Sequence, residues 1–160
     1  MKRSTTSVIW ALGGLLLVAP GVQGQLNPGI HGARATDAFG GSYGLGVSLE
    51  LDIPLFPVDF LVAGETFFPD CGNADGCSFR GASADVHLAL PVPMVQPYAA
   101  AGVVYRRTDP GGSAEVLSNQ GFALGVGVNL RALVLGGYAE VRYEFVDPDD
   151  QWIARLGIRF

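Results

Sequence analysis

The sequence predicts an all-β protein, an eight-stranded antiparallel up-and-down transmembrane β-barrel at residues 25–160, preceded by a cleaved signal peptide at residues 1–24. Three observations support this prediction. The chain opens with a short basic and apolar leader. Segments of about ten residues follow, and most of them alternate apolar and polar side chains, as barrel strands do. Clusters rich in Gly, Pro and Asp separate these segments and are typical of turns.

The leader has the pattern of a secretory signal. Lys2 and Arg3 precede an apolar stretch at residues 8–19, and small residues lead up to Gly24, after which we expect cleavage. The stretch of about a dozen apolar residues is shorter than the roughly 20 that a membrane-spanning helix needs. Loss of Lys2 and Arg3 reduces the 10 basic residues to 8 against 15 acidic ones, a formal charge of −7. This charge argues against binding to nucleic acid backbones.

The predicted strands are runs of alternating, β-branched or aromatic residues that are bounded by turn formers. They are Gly29–Asp37, Ser42–Ile53, Val58–Phe68, Phe79–Leu90, Gln96–Thr108, Gly121–Leu133, Gly137–Val146 and Gln151–Phe160. The connections at 54–57, 91–95 and 134–136 are short and carry few polar groups, whereas those at 69–78 and 109–120 are longer and polar. Membrane barrels of bacteria have short periplasmic turns and longer outer loops, so we expect both termini in the periplasm.

Most of the predicted strands have one apolar and one polar face. In the second strand, for example, Val47 and Leu49 alternate with Ser48 and Glu50. A soluble barrel would turn the apolar face inward. Here, however, the aromatic residues of that face gather near both strand ends, as in the interfacial belts of a lipid-facing wall. These aromatic residues are Phe68, Tyr105, Phe122, Tyr143, Phe145 and Trp152 on the loop side, and Phe60 and Phe160 on the turn side.

The polar face is predicted to fill the lumen with paired charges. The interior of an eight-stranded barrel is just wide enough for side chains, and an unpaired buried charge is costly. The predicted lumen charge network contains Arg34, Glu50, Asp52, Glu65, Asp85, His87, Arg106, Arg131, Glu140, Arg142, Glu144, Arg155 and Arg159. Its ladder of Glu140, Arg142 and Glu144 is interpreted as a structural ion-pair network, with a switchable gate as the alternative.

The last ten residues alternate between apolar and mostly polar side chains, and Leu156, Ile158 and the terminal Phe160 lie on the apolar side. Together with the leader and the eight alternating segments, this ending resembles the small eight-stranded outer-membrane barrels, the OmpA/OmpX-like group. The resemblance implies that these three residues form the signal read by the barrel-assembly machinery. It also implies export through the periplasm to the bacterial outer membrane, with outer-membrane lipid and lipopolysaccharide as partners.

Cys71 and Cys77 enclose five residues. In an exported protein this spacing predicts a disulfide that closes a small loop, because the compartment is oxidising. Metal binding is the alternative, but no second pair of Cys or His residues is near in the sequence.

Ser83, Asp85 and His87 share one strand face and include the residue types of a catalytic triad. Alternate residues of a strand stand about 6.5 to 7 Å apart, which argues against the hydrogen bonds of about 3 Å that a nucleophile and base require. They are therefore interpreted as polar lumen residues, with His87 bonded to a neighbouring acid. Acidic loop residues match no familiar calcium or magnesium spacing and are expected to be solvated. These are Asp70, Asp75, Asp147, Asp149 and Asp150.

These observations predict a monomeric, non-enzymatic outer-membrane barrel with a structural role in the envelope or a role in surface interaction. No catalytic residue, metal or cofactor is predicted. The alternatives are a lipid A-modifying barrel enzyme and a small narrow pore. Resemblance to lipid A deacylases would require a His-x-Ser pair, but neither His31 nor His87 is followed two residues later by Ser.

Overall fold

The computed structural model describes residues 25–36, 41–53, 56–70, 77–111, 115–132, 135–148 and 150–160, and the predicted signal peptide lies outside them. In this part of the chain eight strands form a closed barrel in sequence order. They are β1 (Gln25–Ala35), β2 (Ser42–Asp52), β3 (Val58–Phe68), β4 (Ser78–Ala89), β5 (Val95–Asp109), β6 (Leu117–Ala132), β7 (Leu135–Phe145) and β8 (Gln151–Arg159). The predicted all-β, eight-stranded antiparallel up-and-down barrel is confirmed.

Pairing of the first and last strands closes the barrel. β1 and β8 run antiparallel, with Gly29 opposite Arg159 and Ala35 opposite Ile153. We call the end that holds the β2–β3, β4–β5 and β6–β7 connections the turn end, and the opposite end the loop end. The described part of the chain contains no helix that is long and apolar enough to cross a membrane.

The predicted strand limits agree closely with the structure, and β3 matches at both ends. The largest differences are at β1 and β6, which each begin four residues before the predicted start. In β6 the added residues 117–120 pair with residues 105–108 of β5. Their polarity predicted a loop, but pairing with the long β5 satisfies their backbone groups as a strand.

The barrel is apolar outside and polar inside. On β2, Val47 and Leu49 are exposed, whereas Ser48 and Glu50 are buried in the lumen. The outer wall is strongly exposed at mid-strand, where Val126 keeps 65% of its surface accessible. The aromatic residues predicted for the two belts lie on this wall, and Tyr143 contacts Trp152 edge to face at 5.0 Å between ring centroids.

The prediction that Arg34 belongs to the lumen network was wrong, because its side chain lies on the outer wall. Its guanidinium carbon is 5.3 Å from the ring centroid of Tyr43, the residue directly opposite in β2. The buried residues of β1 are instead Gly29, His31, Ala33 and Ala35. Small residues occupy both faces of β1, so its sequence alternation was too weak to show which face points inward.

The lumen is not polar along its whole length. Near the loop end, Phe67, Phe79 and Ile153 form an apolar cluster with Ala33 and Ala35. The two phenyl rings lie 4.9 Å apart between centroids. This cluster covers the loop side of the charged residues and reduces the access of water to them.

Candidate functional site: the charged lumen

Inward glycines make room for the charged side chains of the lumen. A Cβ added at Gly81 would overlap the guanidinium group of Arg106, and one at Gly102 would overlap both the Asp85 carboxylate and the backbone of β4. The small residues that accompany the acidic and basic residues on the polar strand faces therefore have a packing role. They allow long charged side chains to cross a lumen of fixed width.

Arg106 organises the loop-end part of the network. Its Nη1 donates to Glu65 Oε2 at 2.7 Å and its Nε donates to Glu144 Oε2 at 2.7 Å, while Nη2 makes a further short contact with Glu144. Gln151 Nε2 donates to the same Glu144 carboxylate at 3.3 Å. The guanidinium carbon lies 5.7 Å from the centroid of the Phe67 ring, at the boundary of the apolar cluster.

Arg142 and Arg155 join the acids of the central layer. Arg142 forms a two-pronged hydrogen bond to Asp85, at 2.9 and 2.8 Å. Arg155 donates to Glu65 Oε1 at 2.6 Å and to Glu140 Oε1 at 3.0 Å. The planar fork of arginine suits such fixed pairing with carboxylates. Arg142 also lies 3.4 Å from Glu144, which connects this layer to Arg106.

Aromatic rings and His87 organise the turn-end part of the network. His87 stacks on Tyr98 at 4.5 Å between ring centroids, and the Tyr98 hydroxyl donates to Glu140 at 3.0 Å. The two ring nitrogens of His87 lie 3.6 Å from carboxylate oxygens of Glu50 and Glu140, longer than a hydrogen bond. Arg159 pairs with Glu50 at 2.7 Å.

The ion pairs link these layers into one network from Arg159 at the turn end to Arg106 near the loop end. Among the described residues it contains four arginines and five carboxylates, together with His31 and His87.

Ser83, Asp85 and His87 do not form a triad. The Ser83 hydroxyl donates to Asp85 Oδ2 at 2.8 Å, so the expectation that alternate strand residues are too far apart was wrong for this pair. Both side chains lean towards each other along the strand, which shortens the distance between their polar atoms. The partners of His87 are glutamates of β2 and β7, and no hydrogen bond connects it to Ser83 or Asp85.

No protein-family model and no curated protein matches the sequence. Solved structures match over most of its length. Neisserial surface protein A is 18% identical, with 84% of this chain and 92% of that chain covered and a TM-score of 0.62. The N-terminal β-barrel domain of Pseudomonas aeruginosa OprF is 16% identical, covering 86% and 98%, with a TM-score of 0.62. Ail of Yersinia pestis is 15% identical, covering 86% and 97%, with a TM-score of 0.60.

The chain has the fold of the small eight-stranded outer-membrane β-barrels. In this outer-membrane-type barrel the structure brings most of the predicted lumen residues together. Those that lie buried in the lumen are Glu50, Glu65, Asp85, His87, Arg106, Glu140, Arg142, Glu144, Arg155 and Arg159. His31, which sequence reasoning did not include, joins them through Glu65 at 3.2 Å. Its place opposite Gly46, between Ile30 and Gly32, gave no sequence signal for an ion pair.

Other residues of the predicted sites lie at the edges of the barrel or outside the described residues. Asp52 is half-buried at the turn end and accepts a hydrogen bond of 2.8 Å from Asn27. The side chain of Arg131 lies outside the described residues, and so does Cys71, so its disulfide with Cys77 stays a prediction. Leu156, Ile158 and Phe160 are exposed on the outer wall of β8 and just beyond it.

Sequence reasoning did not predict the carboxylate cluster at the turn end. Oxygen atoms of Glu50, Asp52 and Asp59 lie within 4.8 Å of one another. Arg159 already pairs with the Glu50 oxygen, which reduces the negative charge of the cluster. At the loop end, Asp150 is occupied in a turn, because its Oδ1 accepts the Val146 N–H at 2.9 Å.

Proposed function

We propose that this protein is a monomeric, non-enzymatic barrel of the bacterial outer membrane, with a structural role in the envelope or a role in surface interaction. It would be exported through the periplasm, with both termini on the periplasmic side. The observation that carries the proposal is the inversion of the fold. An apolar wall with aromatic residues near both ends surrounds a lumen that is filled by ion pairs.

The closed sheet supports a membrane location for physical reasons. In hydrocarbon every backbone N–H and C=O must be paired within the protein, so a sheet is stable there only as a closed ring. The eight strands meet this condition through the β1–β8 pairing. In water, by contrast, the exposed wall would be an apolar patch far larger than soluble monomers tolerate.

A test of the location compares the full chain with a variant that lacks residues 1–24. We expect the full chain in the outer-membrane fraction, where the folded barrel migrates faster on a gel before heating than after it. The variant without the leader should remain in the cytoplasm. Recovery of the full chain as a detergent-free, compact soluble monomer would contradict the proposal.

The filled lumen favours a barrel that does not conduct ions rather than an open pore. The ion-pair network runs from Arg159 to Arg106, and the Phe67–Phe79 cluster covers its loop side. We expect no steady current from the wild-type barrel in a planar lipid bilayer, with a known porin as the positive control. A stable single-channel conductance of the wild type would support the narrow pore instead.

The partners of Ser83 and His87 support a non-enzymatic role. The Ser83 hydroxyl donates to Asp85 rather than to a histidine, and the Asp85 carboxylate is already held by both prongs of Arg142, so no histidine base is placed to activate the serine as a nucleophile. We expect the same lipid A mass spectrum from cells with and without the protein. A mass change that disappears in a His87→Ala variant of normal abundance would identify a lipid A-modifying enzyme.

A further inference from the structure

Two arginines face outward next to each other near the loop end. Arg80 of β4 and Arg107 of β5 are directly opposite in the register, and both side chains are exposed on the outer wall. Directly opposite residues of an antiparallel pair have Cβ atoms about 4.5 to 5.5 Å apart, and like charges in these positions repel each other. An anion bound between the two guanidinium groups would offset this repulsion.

The residues around the two arginines provide hydroxyl groups but no paired carboxylate. The register places Thr66 of β3 opposite Arg80, and Ser118 of β6 opposite Arg107. These four exposed residues form one row across β3, β4, β5 and β6. Within the described part of the chain, neither guanidinium makes a salt bridge.

The nearest acid on the same face of β5 is Asp109, and it is engaged elsewhere. Its Oδ1 accepts the N–H of Gly111 at 3.0 Å in the turn that follows the strand. A diagonal cross-strand neighbour lies about 7 to 8 Å away, and Asp109 forms no salt bridge with Arg80 in the described structure. The positive charge of the pair is therefore available to a ligand.

On β5 and β6 the row lies just beyond the belt residues Tyr105 and Phe122, on the side away from the apolar wall, whereas on β3 Thr66 comes two residues before Phe68 of the belt. Tyr105, two residues before Arg107 on the same face, belongs to that belt, and its hydroxyl donates to Ser118 at 3.1 Å. Below it the wall continues with Val103. Since aromatic belts mark the level of the headgroups, the two guanidinium groups would stand at the level of lipid phosphates in an outer membrane.

We propose that Arg80 and Arg107 clamp a phosphate group of lipid A in the outer leaflet, with Thr66 and Ser118 as flanking hydrogen-bond donors. This inference rests on the proposed outer-membrane location and adds a specific lipid contact to it. A phosphate monoester carries a charge between about −1.5 and −2, so one group offsets both guanidinium charges. Arginine binds phosphate through two parallel N–H bonds, which fixes the lipid headgroup against the wall.

Arg34 provides a matched control on the same wall. It is also exposed near the loop end, but it lies over the Tyr43 ring and its register partners are Tyr43 and Ala154 rather than another arginine. Its replacement removes the same charge from the outer wall without changing the Arg80–Arg107 pair.

The experiment uses barrels extracted in zwitterionic detergent from membranes of cells that express the full chain. Native mass spectrometry counts the bound lipid during titration with bisphosphorylated lipid A, with lipid A whose phosphates have been removed, and with inorganic phosphate. The proteins are the wild type, Arg34→Gln and the double variant Arg80→Gln/Arg107→Gln. Gel mobility before and after heating verifies that each barrel is folded.

We expect the wild type and Arg34→Gln to bind bisphosphorylated lipid A with the same affinity. The double variant should bind it at least about tenfold more weakly, because charge-assisted bonds to phosphate are lost. Dephosphorylated lipid A should bind to all three proteins at the level of the double variant. Inorganic phosphate should not displace the lipid at equal concentration, because it cannot contact the apolar wall.

Equal binding of the two lipid A forms by the wild type would overturn the proposal, and this comparison needs no variant. So would unchanged binding by a folded double variant, or inorganic phosphate that binds as tightly as the lipid. A chain that never enters a membrane would overturn the proposed function as well, whereas an inserted barrel without preference for phosphate would overturn this inference alone.

Discussion

Arg106 and Arg107 are neighbours in β5, yet their side chains lie on opposite sides of the barrel wall. Arg106 is 3% exposed and binds Glu65 and Glu144 in the lumen. Arg107 is exposed on the outer wall beyond the aromatic belt and has no salt bridge among the described residues. An arginine side chain is thus held by fixed acidic partners at position 106, whereas the arginine at position 107 is available to a ligand.

The difference shows what each side of the wall requires of a charge. A charge in the lumen has lost its water, so its stability depends on fixed partners. A charge at the rim of the wall remains near water and headgroups, where an arginine costs only about 0 to 1 kcal/mol. Substitutions on the two sides should therefore change the free energy of unfolding by very different amounts.

The largest loss is expected for an inward arginine. Arg142→Ala removes the two-pronged bond to Asp85 and leaves that buried carboxylate with Ser83 and the more distant Arg155. We expect a loss of about 3 to 5 kcal/mol in the free energy of unfolding, measured by urea unfolding in lipid vesicles. Arg142→Lys is the control that keeps the charge but loses the fork. Unchanged gel mobility and melting of Arg142→Ala after refolding would contradict the structural role of the network.

A charge placed in the middle of the outer wall should have the next largest effect. Val126 lies midway along the outward face of β6, between Ala99 of β5 and Val141 of β7. Val126→Arg is expected to cost about 2 to 4 kcal/mol in a bilayer, against little change for Val126→Leu. A Val126→Arg barrel as stable in vesicles as the wild type would mean that this face does not contact lipid.

A smaller loss is expected where a side chain is added inside the wall. Gly81→Ala would push the Arg106 guanidinium away from Glu65 and Glu144, since the new Cβ would overlap it. We expect a cost of about 1 to 3 kcal/mol, typical of overpacking. Gly32→Ala is the control, because nothing lies within 4 Å of a Cβ there. Similar unfolding curves for the two variants would show that the network tolerates displacement of Arg106.

The smallest effect on stability is expected for Arg107→Ala. Its guanidinium has no salt bridge in the described structure, so the free energy of unfolding in phosphatidylcholine vesicles should change by less than about 1 kcal/mol. In vesicles that contain lipid A the wild type should gain stability that this variant lacks. A large loss in phosphatidylcholine would mean that Arg107 supports the barrel itself rather than a lipid contact.

The strands and most of their faces were predictable from the sequence because period-2 alternation is a local property. Glu140, Arg142 and Glu144 follow one another at every second position of β7, and all three are buried in the lumen. Arg34 was misplaced because β1 has small residues on both faces. Phe67 and Phe79 were not predicted to lie in the lumen, because only charged residues and His87 were assigned to the lumen network.

The partners within the lumen could not be predicted. Arg142 binds Asp85 from 57 positions away, and Arg106 binds Glu65 from 41 positions away. These contacts cross the barrel between strands that are not neighbours in the sheet. Which layers meet depends on the strand tilt and on the stagger of the closed register, and neither is encoded in a single strand.

The sequence by itself determined the number of strands, their limits to within a few residues and the side of the wall on which most residues lie, because each follows from local alternation and turn formers. Only the tertiary structure decided which acid pairs with which arginine, where the apolar cluster covers the lumen, and that Arg80 and Arg107 stand side by side. These features arise from register and closure, which bring together side chains that the chain itself keeps far apart.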